Sequence, residues 1–349
     1  MRLAMALKYS GGFREAVDEL TDLERAGLDL LFVPEAYSFD AVSQLGYLAR
    51  ATHRLELASG ILQIFTRTPT LTAMTAAGLD FVSDGRFSLG IGASGPQVVE
   101  GFHGVPYDAP LGRLREIVEI CRTVWRREVL RHDGRHYQVP LPEGQGTGLG
   151  KPLKLINHPV RADIPIIIAA LGPQSVTMTA EIAEGWLPIF YFPERVQPVW
   201  GDALAAGLAR RDPGLRPLDV IASAPCAIGD DVDDLRELSR PELALYVGGM
   251  GARGKNFYNE LAGKYGFEAE ARTVQDLYLD GHKEQAAAAV PQELVDGTSL
   301  VGSAGRVRDR LAALHASGVT TVNVSLPQRT RAERLRTVEA LRDLAGSIT

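Results

Sequence analysis

Residues 54–95 read RLELASGILQIFTRTPTLTAMTAAGLDFVSDGRFSLGIGASG, and their pattern decides the fold. Leu55 to Leu62 alternates apolar with small residues, as a buried strand does. Pro69 opens a helix that runs to about Phe81 and stops at Asp84-Gly85. Phe87 to Ile91 is the next strand, and it empties into Gly92-Ala93-Ser94-Gly95. Two strands joined by one helix make a parallel crossover unit. Both strand exits carry residues suited to backbone freedom rather than packing, which places a ligand there.

The same alternation extends outward in both directions. Upstream lie a strand at Arg2–Leu7, a helix at Phe13–Ala26 closed by Gly27, a strand at Leu28–Val33 and a helix at Ala41–Thr52. Downstream, Arg113–Arg126 is an amphipathic helix. Val129–Val139 then reads as a hairpin turning on Asp133-Gly134, and a Gly/Pro-rich loop follows over 140–152. Alternation resumes with a strand at Ile164–Leu171, a helix opened by Gly172-Pro173-Gln174-Ser175, a strand at Gly185–Phe190, a helix at Val196–Leu208 and a strand at Val220–Ile228. A largely helical insertion occupies about 230–300. The chain then returns to a helix (Arg306–Ala316), a strand (Thr320–Leu326) and a last helix (Ala332–Leu344). Eight strands alternating with helices predict an α/β fold, a (β/α)8 TIM barrel over residues 1–349 with insertions after the fourth helix and the seventh strand.

Composition narrows the function classes. The chain has 349 residues, is 45% apolar and carries a net charge of −6, which argues against a general nucleic-acid binder. No apolar run reaches membrane-spanning length and the sequence opens directly on a strand, so neither a membrane span nor a secretory leader is expected. Cys121 and Cys226 lie far apart in helix and strand patterns, and are expected to be buried, reduced thiols of a cytoplasmic protein.

Several motifs suggest chemistry. Gly90-Ile91-Gly92-Ala93-Ser94-Gly95 matches GxGxxG, but it follows the fourth strand and Pro96 comes next, so a ligand-lining turn fits better than a dinucleotide fingerprint. Residues 249–256, GMGARGKN, miss the P-loop at Asn256; they read as a flexible loop of the insertion and a candidate cover. Leu171-Gly172-Pro173-Gln174-Ser175 is the better anion site, because free N–H groups open the helix there. His132 and His136 straddle a turn, so no metal site is expected. Glu35 leaves the second strand, where a carboxylate could shuttle protons or instead form a structural salt bridge or helix cap. Tyr37 and Asp40 pose the same choice.

Taken together, SGILQIFTRTP, DGRFSLGIGASG, the RLREIVEICRTVW helix, GTGLGKPLKLI and IPIIIAALGPQSVTMTAEIAEGW resemble the bacterial-luciferase-like oxidoreductases, in particular the branch that uses coenzyme F420. The resemblance covers essentially the whole chain. It implies a non-proline cis peptide at Gly60-Ile61, in a bulge that presses on the deazaflavin ring, with Ser59, Gly60 and Ile61 as contacts. It also implies that Gly92, Ala93, Ser94 and Gly95 border the ring, that Leu171 and Gly172 to Ser175 take the phosphate, and that Glu35 is the family's acidic residue. Sugar-phosphate dehydrogenases of the family have a His where Ala36 stands and a Glu where Gly95 stands, so that chemistry is not expected and the proton donor stays unassigned.

The resulting expectation is an oxidoreductase moving a hydride between F420 and a small organic substrate, as a homodimer or homotetramer. The alternatives are an FMN-dependent monooxygenase and a non-catalytic flavin- or deazaflavin-binding barrel.

Overall fold

The computed structural model of the chain describes residues 1–8 and 12–348. Eight parallel strands form its centre: β1 (Arg2–Ala6), β2 (Leu30–Val33), β3 (Glu56–Ser59), β4 (Phe87–Gly92), β5 (Ile166–Ala169), β6 (Gly185–Leu187), β7 (Asp219–Ile228) and β8 (Thr321–Ser325). Each pairs with the next, and β8 pairs back onto β1, so the barrel closes as the alternation predicted. Around it lie α1 (Phe13–Ala26), α2 (Ala41–Ala51), α3 (Pro69–Val82), α4 (Pro110–Trp125), α5 (Pro173–Ile182), α6 (Val196–Leu208), α7 (Ala304–Ala316) and α8 (Arg331–Gly346). Their ends follow local chemistry. Gly27 closes α1 at φ 106°, the Thr68 side chain and Pro69 open α3, and Thr330 with Glu333 forms a capping box on α8.

Strand register sorts the core into two shells. Leu3, Leu31, Leu57, Leu89, Ile168, Trp186 and Val322 pack outward with the helices, while Ala4, Leu30, Phe32, Ala58, Ile167 and Ile221 form a separate inner cluster. Because side chains alternate along a strand, inner residues of alternate strands stack in rings. Arg2, Glu56 and Asp219 plug the bottom, with Arg2–Glu56 at 2.7 Å and the Thr321 hydroxyl donating to Asp219 at 2.7 Å. Above them the registers place Ala4, Ala58, Ile167 and Ile221, then Phe32, Gly90, Leu187 and Asn323. The next ring up is Ala6, Gly60, Ala169 and Ser223, and there the apolar filling ends.

Four local readings change. The third strand does not run on to Leu62: it breaks after Ser59, and Leu62–Gln63 pairs instead with Ile91–Gly92 of β4. Asp133-Gly134 is not a two-residue turn. His132 pairs with Val139 and Asp133 with Gln138, leaving residues 134–137 in the loop, because the Glu116 carboxylate accepts the N–H groups of His136 and Tyr137. A short strand, Leu300–Gly302, extends β7 at the end of the insertion, and a short helix, Pro96–Gly101, follows the fourth strand.

The glycine run of the insertion starts inside a helix and then forms the expected loop: residues 250–255 are turn and bend between a π-helical turn and the helix Phe257–Ala262. Leu245–Gly249 is a π-helical turn, and a Cβ on Gly248 or Gly249 would come within 2.5 or 2.4 Å of the Tyr278 side chain. Asn256 is buried as the cap of a following helix, accepting from Tyr258 N and Asn259 N. Gly248 and Gly249 are there for close packing, whereas Gly254 serves the turn at φ 71°. Cys121 and Cys226 are free and buried, and burial pushes the Cys226 thiol up to about 12. No helix among the described residues is long and apolar enough to cross a membrane.

Candidate active site

The top of the barrel is assembled from the seam between β3 and β4. The Ser59 hydroxyl donates to Gly90 O at 2.8 Å and accepts from Gly90 N at 2.9 Å, so one side chain replaces a ladder pair where the third strand turns away. A Cβ on Gly90 would lie 1.7 Å from Ser59 O, and one on Gly92 would lie 2.9 Å from Ile61 Cδ1. These two glycines of the GxGxxG string therefore admit the neighbouring chain. The peptide between Gly60 and Ile61 is cis, where the resemblance placed it.

The seam brings Ser59 to Ile61 beside Gly92 to Gly95. Ser94 sits at φ 59°, and its carbonyl accepts from the Tyr107 hydroxyl at 3.3 Å. The Gly92 position also abuts Ala169 of β5, so the third, fourth and fifth strand exits adjoin. Beyond β5 the backbone is fixed by two indoles: Trp186 Nε1 donates to Ala170 O at 2.9 Å and Trp200 Nε1 to Leu171 O at 2.7 Å. Their rings meet edge-on at 5.1 Å. That clamp presents Gly172 to Ser175 at the start of α5, which has no side-chain cap on its first N–H groups.

The floor of the mouth is small and open. Ala6 is exposed at the end of β1, and Gly60, Ala169 and Ser223 are half-buried. Aromatic residues rim it. Phe65 and Tyr107 lie 5.1 Å apart on one side, and Phe190, after β6, meets Tyr246 of the insertion at 5.4 Å on the other. Tyr265 of the insertion also donates to Phe190 O at 3.0 Å, so the insertion is anchored at this end of the barrel. A separate groove of about 530 Å³ lies on the outer surface between α4, α5 and α6, and reaches Pro173 and Gln174 from outside.

Glu35 is buried behind this surface. Arg67 grips both its oxygens, at 2.5 and 2.9 Å, and Ala41 N at the start of α2 donates to it at 2.9 Å. Asp40 caps the same helix through Ser43 N at 2.9 Å, and Tyr37 stands exposed. His132 and His136 both turn to Glu116, the first at 3.3 Å through its ring. For Glu116, burial raises the carboxyl, but the backbone and histidine hydrogen bonds outweigh it and hold the group below its usual range. Among the described residues no group of three His, Cys, Asp or Glu side chains is placed to hold a metal ion.

Sequence reasoning missed Arg67, Gln63, Ser223 and Asn323. Gln63 is buried; its Nε2 donates to Ala36 O at 2.9 Å, tying the third strand exit to the second. Asn323 Nδ2 donates to Ser223 Oγ at 2.9 Å inside the barrel. A polar residue at an inner position of an apolar strand, as in TVNVS, was the available signal.

Comparison with known proteins adds four findings. The profile described as luciferase-like monooxygenase matches residues 1–321. A Mycobacterium tuberculosis protein, named provisionally as a coenzyme F420-dependent oxidoreductase, is 41% identical over 348 residues, covering 98% of this chain and 99% of that one. Among solved structures, the coenzyme F420-dependent tetrahydromethanopterin reductase from Methanopyrus kandleri superposes with a TM-score of 0.80 at 21% identity, covering 97% of this chain and 96% of the other. An FMN complex of a type II Baeyer-Villiger monooxygenase from Pseudomonas putida superposes at 0.68 and 19% identity, covering 100% and 99%. At these identities the two structures speak for the fold alone.

Proposed function

The chain belongs to the luciferase-like monooxygenase family, and from that premise we propose that it is an oxidoreductase moving a hydride between coenzyme F420 and a small organic substrate. The observation that carries the choice of cofactor is the full-length, 41% likeness to the provisionally named F420-dependent relative. In this reading the chain works as a single barrel domain in the cytoplasm. When bound, the deazaflavin supplies the hydride chemistry; the protein's part is to hold the ring, orient it and exclude water.

The residues present fit such a group. A flat ring needs a floor without large side chains, and Ala6, Gly60 and Ala169 provide one. A phosphate needs unpaired N–H groups, which the uncapped start of α5 offers. Gly172 is informative: it has φ −70°, and a Cβ there would meet nothing nearer than Ser175 Oγ at 3.6 Å. The fold does not require glycine at this point, whereas close approach of a ligand would. In this reading Ser59 to Ile61 and Gly92 to Gly95 contact the ring, and Leu171 to Ser175 hold the phosphate.

Titration with F420 and with FMN tests this directly. F420 is expected to bind, and Gly172→Val is expected to weaken it more than tenfold while the unfolding midpoint stays put. Binding of FMN alone would move the protein to the monooxygenase branch; unchanged F420 affinity in the variant would remove Gly172 from the site.

We also place a second copy of the chain on α2 and α3. Leu71, Met74, Phe81 and Val82 share a stripe of α3 and stay exposed, as does Tyr47 of α2, and Gly78 leaves open space between them. A contiguous apolar face of this kind marks an interface. Sedimentation should give a dimer or tetramer that Met74→Asp shifts toward monomer; a monomeric wild type would refute it.

A further inference from the structure

We infer that Ser223, aligned by Asn323, donates a hydrogen bond to a carbonyl oxygen of the ring compound held in the barrel mouth. The inference rests on the proposed function, in that it needs a flavin or deazaflavin ring to lie on the floor. It adds a polar contact on the far wall from the ring-bordering residues of β3 and β4.

Four observations lead there. Of the residues forming the floor, Ala6, Gly60, Ala169 and Ser223, only Ser223 has a polar side chain, and it is half-buried beside an exposed Ala6. Its oxygen already accepts from Asn323 Nδ2 at 2.9 Å. A hydroxyl that accepts from below keeps its own hydrogen for another partner, and no described residue accepts it. Asn323 is itself costly: it is 8% exposed, and its Oδ1 is buried without a partner. Burying a half-satisfied carboxamide between Val322 and Val324 is unfavourable unless it does something an apolar residue could not. Aiming the Ser223 hydroxyl upward is such a function.

The chemistry of the ligand matches. The pyrimidine-dione edge shared by flavins and deazaflavins carries carbonyl oxygens, which accept and cannot donate. Of the polar side chains behind the floor, Glu35 is an acceptor already held by Arg67 and Ala41 N, and the Gln63 amide nitrogen is turned away from the floor toward Ala36 O. Ser223 stands across the barrel from Gly60, since β7 lies opposite β3 in the closed order. A ring resting against Gly60 and Ile61 extends toward it.

The test compares wild type, Ser223→Ala, Ser223→Thr and Asn323→Leu by titration with F420 and FMN. Dissociation constants and the absorption maximum of the bound ring are read together, with thermal melts of the ligand-free proteins. Ser223→Ala is expected to weaken binding of the ring compound roughly fivefold, the size of one net hydrogen bond, and to shift the bound absorption maximum. Ser223→Thr should restore both, and Asn323→Leu should resemble Ser223→Ala. Should Asn323→Leu fold poorly, the two Ser223 variants decide alone. Affinity and absorption unchanged in Ser223→Ala, with wild type binding normally, overturn this inference and leave the proposed function standing. A lowered ligand-free melt with an unmoved absorption maximum makes the pair purely structural and also overturns it. Wild type that binds neither compound overturns the proposed function and this inference together.

Discussion

Gly90→Ala is expected to destabilise the protein by roughly 3–5 kcal/mol and to abolish cofactor binding even where the variant remains folded. The added carbon would lie 1.7 Å from Ser59 O and 2.9 Å from Ser59 C, which are backbone atoms that no rotamer change can remove. Overpacking of a core usually costs about 1–3 kcal/mol, and more where the backbone must move. Separating β3 from β4 would also strip Gly90 N and O of their shared partner, the Ser59 hydroxyl, at about 0.5–1.5 kcal/mol for each bond. Because the same seam sets Ile61 against Gly92, the mouth would lose its shape along with its stability. Gly95→Ala is the matched control. A Cβ there meets nothing within 4 Å and φ is −111°, so its stability should lie within about 0.5 kcal/mol of wild type. Denaturant melts of the three proteins settle the matter. A Gly90→Ala variant within about 1 kcal/mol of wild type would mean that the seam adjusts freely, and the explanation of these glycines would fail.

The contrast between Gly90 and Gly95 also shows what can be read from a sequence of this kind. Barrel order was legible because each strand is a short apolar run bounded by its own stop signals, and the helices announce their ends through Gly27, Pro69 and Pro173. These are local facts. The meaning of Gly90 is not local. Read along the chain, Gly90-x-Gly92-x-x-Gly95 looks like a phosphate loop, whereas the demand for glycine comes from Ser59 and Ile61 on the neighbouring strand. The hairpin at 129–139 is there, but its two-residue turn failed for the same reason: Asp133-Gly134 is a strong turn signal, yet Glu116, on α4, captures the N–H groups of His136 and Tyr137 and widens the loop. Gly249 read as part of a loop, but its place in a π-helical turn is set by the Tyr278 ring from another helix. Ser223 and Asn323 are a hundred residues apart, and only the pairing of β7 with β8 joins them.

Glu35 was the one carboxylate that the sequence put at a strand exit, and its replacement is expected to cost stability before it costs chemistry. Its side chain is 8% exposed and that of Arg67 14%, with two charge-assisted bonds between them at 2.5 and 2.9 Å. The oxygen nearer α2 also accepts from Ala41 N, at the positive end of that helix. Glu35→Ala therefore strands a guanidinium in a poorly solvated place and leaves the first turn of α2 without its acceptor, a loss of roughly 3–5 kcal/mol. Arg67→Ala should cost a similar amount by stranding the carboxylate. The double variant Glu35→Leu, Arg67→Leu removes both charges and should be more stable than the sum of the two single losses predicts, because neither ion is left alone. A double-mutant cycle in denaturant measures this coupling. If Glu35 instead handled a proton during turnover, Glu35→Gln would keep wild-type stability while losing activity. A cycle with no coupling, or Glu35→Ala within about 1 kcal/mol of wild type, would return the residue to the catalytic candidates. A large coupling would fix it as the bracket that holds the second and third strand exits, through Arg67 and the start of α2, at the separation the mouth requires.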